Sequence, residues 1–147
     1  MRSPARRPSP VAAITDDRLR AAAVELAADF SLSLVVLFGS AATGEWAHAE
    51  DLDIAVLGVG VLDMIALTNA FTRRLGIQAV DLVDLAHADP LLMMFVARDG
   101  VVLYERTPSR FDAFVSLAAR RYADTKKFRA AESQAIDDFL AERGLGR

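Results

Sequence analysis

Two acidic residues stand where an apolar strand begins. In the stretch from Leu37 to Gly58, "LFGSAATGEWAHAEDLDIAVLG", an apolar run stops at Gly39-Ser40 and a small polar loop follows, after which Asp51 and Asp53 open a second apolar run. Burying an unpaired carboxylate is among the largest penalties a fold can carry, so a positive charge is expected beside them. On an extended chain both carboxylates point to one face, while Leu52 and Ile54 point to the other. Two such carboxylates repel each other unless a cation neutralises them. Hard oxygen donors with no sulfur or imidazole beside them suit Mg²⁺ or Mn²⁺.

A magnesium site of this kind is typically completed by substrate phosphate. Gly39 at a strand end permits a tight turn and close backbone approach, and Ser40 offers a hydroxyl. The segment "SAATG" is expected to start a short helix whose free N–H groups face a phosphate. A third acid would complete a two-metal site, and Asp81 and Asp84 in "AVDLVDL" are both candidates. They differ in parity and so face opposite sides of their strand. Asp81, mid-strand with Val83 and Leu85 on its face, needs a partner more than Asp84, which lies near the strand end and can act as a surface or capping acid.

The rest of the composition narrows the class. With 147 residues, 53% of them hydrophobic, the chain is long enough to build one substantial core. The absence of cysteine excludes disulfides, zinc-thiolate sites and a thiol nucleophile. The longest apolar runs are cut by Asp, Gly or Arg before membrane-spanning length, and no apolar segment follows the basic start, so the expectation is a cytoplasmic protein without a secretory signal. Residues 1–12, "MRSPARRPSPVA", carry Arg2, Arg6 and Arg7 with three prolines and no acid, and read as a disordered basic tail. Setting that tail aside leaves 14 basic against 20 acidic residues, a body too acidic to grip nucleic acid through a broad basic face.

One domain over residues 13–147 is expected, in the order helix, strand, strand, helix, strand, helix, strand, helix. Thr15 caps a first helix reaching Phe30, "LSLVVLF" is a buried strand, and "DIAVLGV" is a second. A helix over 61–75, with positions 62, 65, 66 and 69 inward, leads through Gly76 to the strand "IQAVDLVDL". Asp89-Pro90 opens a short helix, "VVLYE" is the last strand, and a long C-terminal helix starts at Thr107 or Ser109, with "DTKK" from Asp124 as a possible break. The fold class is α/β, a mixed sheet of about four strands with flanking helices and that long C-terminal helix. His48 and His87 read as solvated loop residues, Trp46 as cover for the loop, and Arg73-Arg74 as complements to a helix dipole.

Gly39-Ser40, ten intervening residues and then Asp51-Leu52-Asp53 resemble the GS-x10-DxD signature of the minimal nucleotidyltransferase (MNT) group of the polymerase-beta-like superfamily. The similarity runs from about Thr15 to Glu105 and includes "VDLVDL" and "PLLMMFVARDGVVLYE". The resemblance implies the polymerase-beta-like nucleotidyltransferase fold, with Asp51, Asp53 and Asp81 as metal-binding catalytic carboxylates and Gly39-Ser40 holding the nucleotide phosphates. Short members resemble the antitoxin half of a type VII-like HEPN/MNT toxin–antitoxin pair, which transfers AMP from ATP to a tyrosine of its HEPN ribonuclease toxin. The implied chemistry is Mg-dependent (or Mn-dependent) in-line displacement at the α-phosphorus, with the toxin and ATP as partners and no membrane or direct nucleic-acid contact; the assembly is left open between a homodimer and a hetero-oligomer with toxin.

Two other functions fit the same resemblance: a non-catalytic binder that neutralises the toxin by covering it, and a small-molecule (antibiotic) nucleotidyltransferase. The family often carries a basic residue soon after Gly-Ser, where this chain has Ala41-Ala42-Thr43. An apolar stripe through Phe111, Phe114, Tyr122, Phe128 and Phe139 of the C-terminal helix is suited either to packing on the sheet or to docking against a partner helix.

Overall fold

The computed structural model describes residues 9–44 and 46–145. Four strands, β1 (Leu32–Phe38), β2 (Leu52–Gly58), β3 (Val80–Asp84) and β4 (Val101–Glu105), form one mixed sheet in the order β3-β2-β1-β4. β1 runs antiparallel to both of its neighbours, and β2 runs parallel to β3. Helices α1 (Asp16–Phe30) and α2 (Met64–Leu75) cover one face, and α3 (Pro90–Asp99) and α4 (Arg110–Glu142) cover the other. Six of the seven β1 residues are buried, as expected of a central strand covered on both sides.

Side-chain parity divides the sheet between two cores. Leu52, Ile54 and Val56 join Leu67, Phe71 and Leu75 of α2 and Leu19, Ala23 and Leu26 of α1. Leu34, Val36 and Ala55 meet Met93 and Val96 of α3 and Phe114 and Ala118 of α4. The local signals behave as expected: Thr15, Asp63 and Asp89 each accept a backbone N–H at a helix start, and Gly76 ends α2 in the left-handed conformation. The first turn of α4 is held differently, because the Glu105 Oε1 accepts the Phe111 N–H at 2.9 Å.

Several expectations are corrected. The inward stripe of α2 is Leu67, Phe71 and Leu75, whereas Ile65 is 78% exposed. The helix starts at Met64, and the 3.6-residue period carried from there brings a different set of side chains onto the sheet. "DTKK" does not interrupt α4, which runs unbroken for 33 residues. The expected tail over 1–12 ends earlier: residues 1–8 lie outside the described residues, but Pro10–Ala13 form a 3₁₀ turn with Val11 fully buried. Ser9 followed by Pro10 is itself a cap-and-first-turn signal, and Val11 and Ile14 are an apolar pair one turn apart; the prolines and arginines around them masked it.

Phe71 has no exposed surface and lies where α2 meets both the sheet and α1. Phe71→Ala is therefore expected to destabilise the chain by about 3–5 kcal/mol, read from urea unfolding.

Candidate active site at the sheet edge

Strand pairing puts two acids side by side. Asp53, the second residue of β2, is level with Phe38 on the β1 side and with Asp81 on the β3 side. Asp53 and Asp81 share the face of the sheet on which α3 and α4 pack, and Asp51, two residues upstream, has the same parity. Burial raises the Asp53 pKa above the ordinary carboxylate value, and the charges of Asp81 and then Asp51 raise it further. Charge acts over longer distances than coordination, however. Among the described residues, no three His, Cys, Asp or Glu side chains are drawn tightly enough to enclose an ion. The arrangement is an open arc of oxygen donors around Asp53, short of positive charge and suited to a cation whose shell a phosphate completes.

Asp84 takes no part in that arc. Its Oδ1 accepts the Ala86 N–H at 3.0 Å in the turn after β3, and its parity matches Val80 and Leu82 on the opposite core. Of the two candidate third acids, Asp81 is the one brought beside Asp53.

Gly39 closes the site from the β1 end. It has φ +73°, and a Cβ added there would overlap the Asp53 carboxyl. No side chain can stand between that carboxyl and the Gly39 backbone, so only glycine lets Asp53 lie against the turn. The segment after it is not the short helix expected. Residues 40–44 form consecutive turns, with Gly39 O accepting from Ala42 N at 3.1 Å and Ser40 O from Thr43 N at 3.3 Å, before Gly44 at φ +93°. These i to i+3 bonds tighten the loop too much for α-helix, and the left-handed Gly44 ends it.

Two clefts flank this turn. One, about 270 Å³, lies on the Asp53 side and is lined by Phe38, Gly39, Thr43, Leu92, Phe95 and Asp99. The other, about 370 Å³, opens on the α1 side and is lined by Ile14, Thr15, Leu37, Ala41 and Trp46 among others. Neither was visible in the sequence, because α3 reaches the turn only through the fold.

The loop carrying Asp51 is braced from outside. The Ser9 hydroxyl donates to Ala49 O, the Ser9 Oγ accepts from Val11 N at 3.1 Å, and Ala49 is buried. Asp51 itself is exposed, with Leu52 N anchored on Ala79 O at 2.8 Å just after it. The N-terminal segment assigned to the tail thus supports the site.

Two outcomes follow from this geometry. Gly39→Ala must accommodate both the positive φ and the overlap with Asp53, and is expected to cost about 1–3 kcal/mol in thermal unfolding. Because its pKa is raised, folded Asp53 holds its proton to higher pH than the unfolded chain does. Stability therefore falls as pH rises above the ordinary value of 3.8, and the penalty persists at neutral pH. In chelator at pH 7, Asp53→Asn should melt above the wild-type chain and lose the downward slope on the acid side; an equal or lower Tm would contradict this.

Comparison with known proteins identifies the family. The sequence model of the family described as polymerase beta, nucleotidyltransferase, matches residues 24–109, from within α1 to the residue before α4. A curated relative, the protein adenylyltransferase MntA of Aphanizomenon flos-aquae, is 32% identical over 126 residues, spanning 78% of this chain and 84% of that protein. Among solved structures, a toxin–antitoxin complex with AMP-PNP aligns at TM-score 0.65 and 31% identity, covering 83% of this chain and 98% of the other. The complex of a tri-AMPylated Shewanella oneidensis HEPN toxin with its MNT antitoxin aligns at TM-score 0.63 and 30% identity, covering 86% and 99%. With that family's pattern matched over more than half its length, and Gly39-Ser40 and the acids of β2 and β3 gathered at one sheet edge, the chain belongs to the polymerase beta nucleotidyltransferase family.

Proposed function

We propose that this chain is the antitoxin of a HEPN/MNT pair and transfers AMP from ATP to a tyrosine hydroxyl of its HEPN toxin, in the cytoplasm where ATP is available. The observation that carries the reading is the register of β2 against β3, which sets Asp81 beside Asp53 at the end of the strand whose loop bears Asp51. The adenylyltransferase relative and the AMP-PNP and AMPylated-toxin complexes support the same substrate and acceptor.

Asp51, Asp53 and Asp81 are the groups that would hold Mg²⁺ or Mn²⁺. The donor set is all carboxylate, and burial, then the charges of Asp81 and Asp51, raise the Asp53 pKa. When bound, such an ion supplies charge to the triphosphate and to the leaving pyrophosphate. The chain's own residues do the rest. Gly39, whose turn lies against the Asp53 carboxyl, and Ser40 next to it would hold the nucleotide phosphates. The tyrosine oxygen attacks the α-phosphorus, the bond from that phosphorus to the bridging oxygen breaks, and pyrophosphate departs. Asp81, exposed on the edge strand β3, takes the tyrosine proton in this reading. In this family fold the acceptor presents its own surface, since the carboxylates lie open at a sheet edge.

Purified chain incubated with Mg²⁺, ATP and its HEPN partner is expected to add the mass of one or more AMP groups to a partner tyrosine, read by intact-mass spectrometry. Asp53→Ala should abolish the addition, and Asp81→Asn should reduce kcat by about 10²–10⁴-fold if it takes the proton. Toxin neutralisation unaffected by Asp51→Ala with Asp53→Ala would instead establish a covering inhibitor, and labelled nucleotide on an aminoglycoside but not on protein would establish a small-molecule enzyme.

A further inference from the structure

The second half of α4 takes no part in either core of the sheet. Its first half buries Phe114 and Ala118 against the sheet, but beyond residue 122 the helix leaves the body. There Phe128, Ile136 and Phe139 are 78%, 53% and 50% exposed. Spacings of eight and three residues put these side chains along one side of the helix, a stripe that water does not stabilise.

We propose that this segment pairs antiparallel with the same segment of a second copy of the chain. The charge pattern selects that occupant. Residues 120–129 carry Arg120, Arg121, Lys126, Lys127 and Arg129 against the single acid Asp124, a net charge of +4. Residues 130–142 carry Glu132, Asp137, Asp138 and Glu142 and no base, a net charge of −4. A helix with opposite charge on its two halves complements its own reverse, whereas parallel pairing would set like charge against like. Centring the pairing between residues 133 and 134 brings Phe128 level with Phe139 of the other copy and Arg129 level with Asp138. Arg129 and Arg143 already lie over the Tyr122 and Phe139 rings, at 3.9 and 4.5 Å from the ring centroids, so each aromatic keeps a cation beside it in the pair. The stripe begins well past the last family-matched residue, 109.

The test uses the full chain without toxin or nucleotide, so its outcome is separate from that of the proposed reaction. Sedimentation equilibrium at micromolar concentration should give a dimer that weakens as salt is raised. Lys126→Glu with Lys127→Glu and Arg129→Glu should weaken it by about tenfold or more while circular dichroism stays helical. Mixing that variant with one carrying Glu132→Lys, Asp137→Lys and Asp138→Lys should restore a one-to-one pair. Because the chain has no cysteine, orientation can be read directly: Phe128→Cys chain mixed with Phe139→Cys chain should oxidise to a disulfide-linked dimer, and neither should do so alone. A monomeric wild-type chain, disulfide formation by Phe128→Cys alone, or protection of the stripe from hydrogen exchange only when HEPN toxin is added would each overturn the proposal.

Discussion

Crowding of negative charge around Asp53 is the constraint on which the rest of the structure depends. Its carboxylate is partly desolvated, has Asp81 across the strand pair and Asp51 in the loop just before its own strand, and overlies a position where only glycine fits. Among the described residues no ion pair relieves that repulsion, so the local arrangement is held against its own electrostatics by the sheet. The parallel pairing of β2 with β3 forces the two acids level, and the α2 connection between those strands is anchored by Phe71 and Leu75 in the core beneath. Stability invested in one core thus maintains an unfavourable charge cluster at its rim, the usual relation between a functional site and its scaffold.

A second consequence concerns the long loop between β1 and β2. It holds both the Gly39–Gly44 turn and Asp51, yet few of its backbone groups bond within it. Its support comes from elsewhere: the Pro10–Ala13 turn packs on Trp46–His48, and Ser9 bonds Ala49. Loops that carry function need a rigid frame, and here part of that frame is supplied by residues more than thirty positions away in sequence. On the opposite face, α3 contributes Leu92 and Phe95 to the cleft beside the same turn. The loop is therefore bounded by segments from both ends of the catalytic region.

The two halves of α4 live by different rules. The first is core, with Phe114 buried and Phe111 stacked near it at 6.2 Å between ring centroids. The second is a solvent-exposed helix whose charges are sorted along its length. The expectation that one stripe serves either packing or docking was too coarse, because the helix outruns the sheet it lies on.

Much of this was legible in the sequence because it is local. Thr15, Asp63, Asp89 and Gly76 mark helix ends through bonds to their own neighbours, and the period of two places Asp51 and Asp53 on one face and separates Asp81 from Asp84. What only the tertiary structure decided is what depends on segments far apart in the chain. That Asp81 lies level with Asp53 follows from strand register, that Val11 is core follows from the loop it covers, and that Ile65 faces water follows from where α2 begins relative to the sheet. Turn and cap preferences are short-range and repeat in any context, whereas strand neighbours and buried faces are settled by packing the whole chain at once.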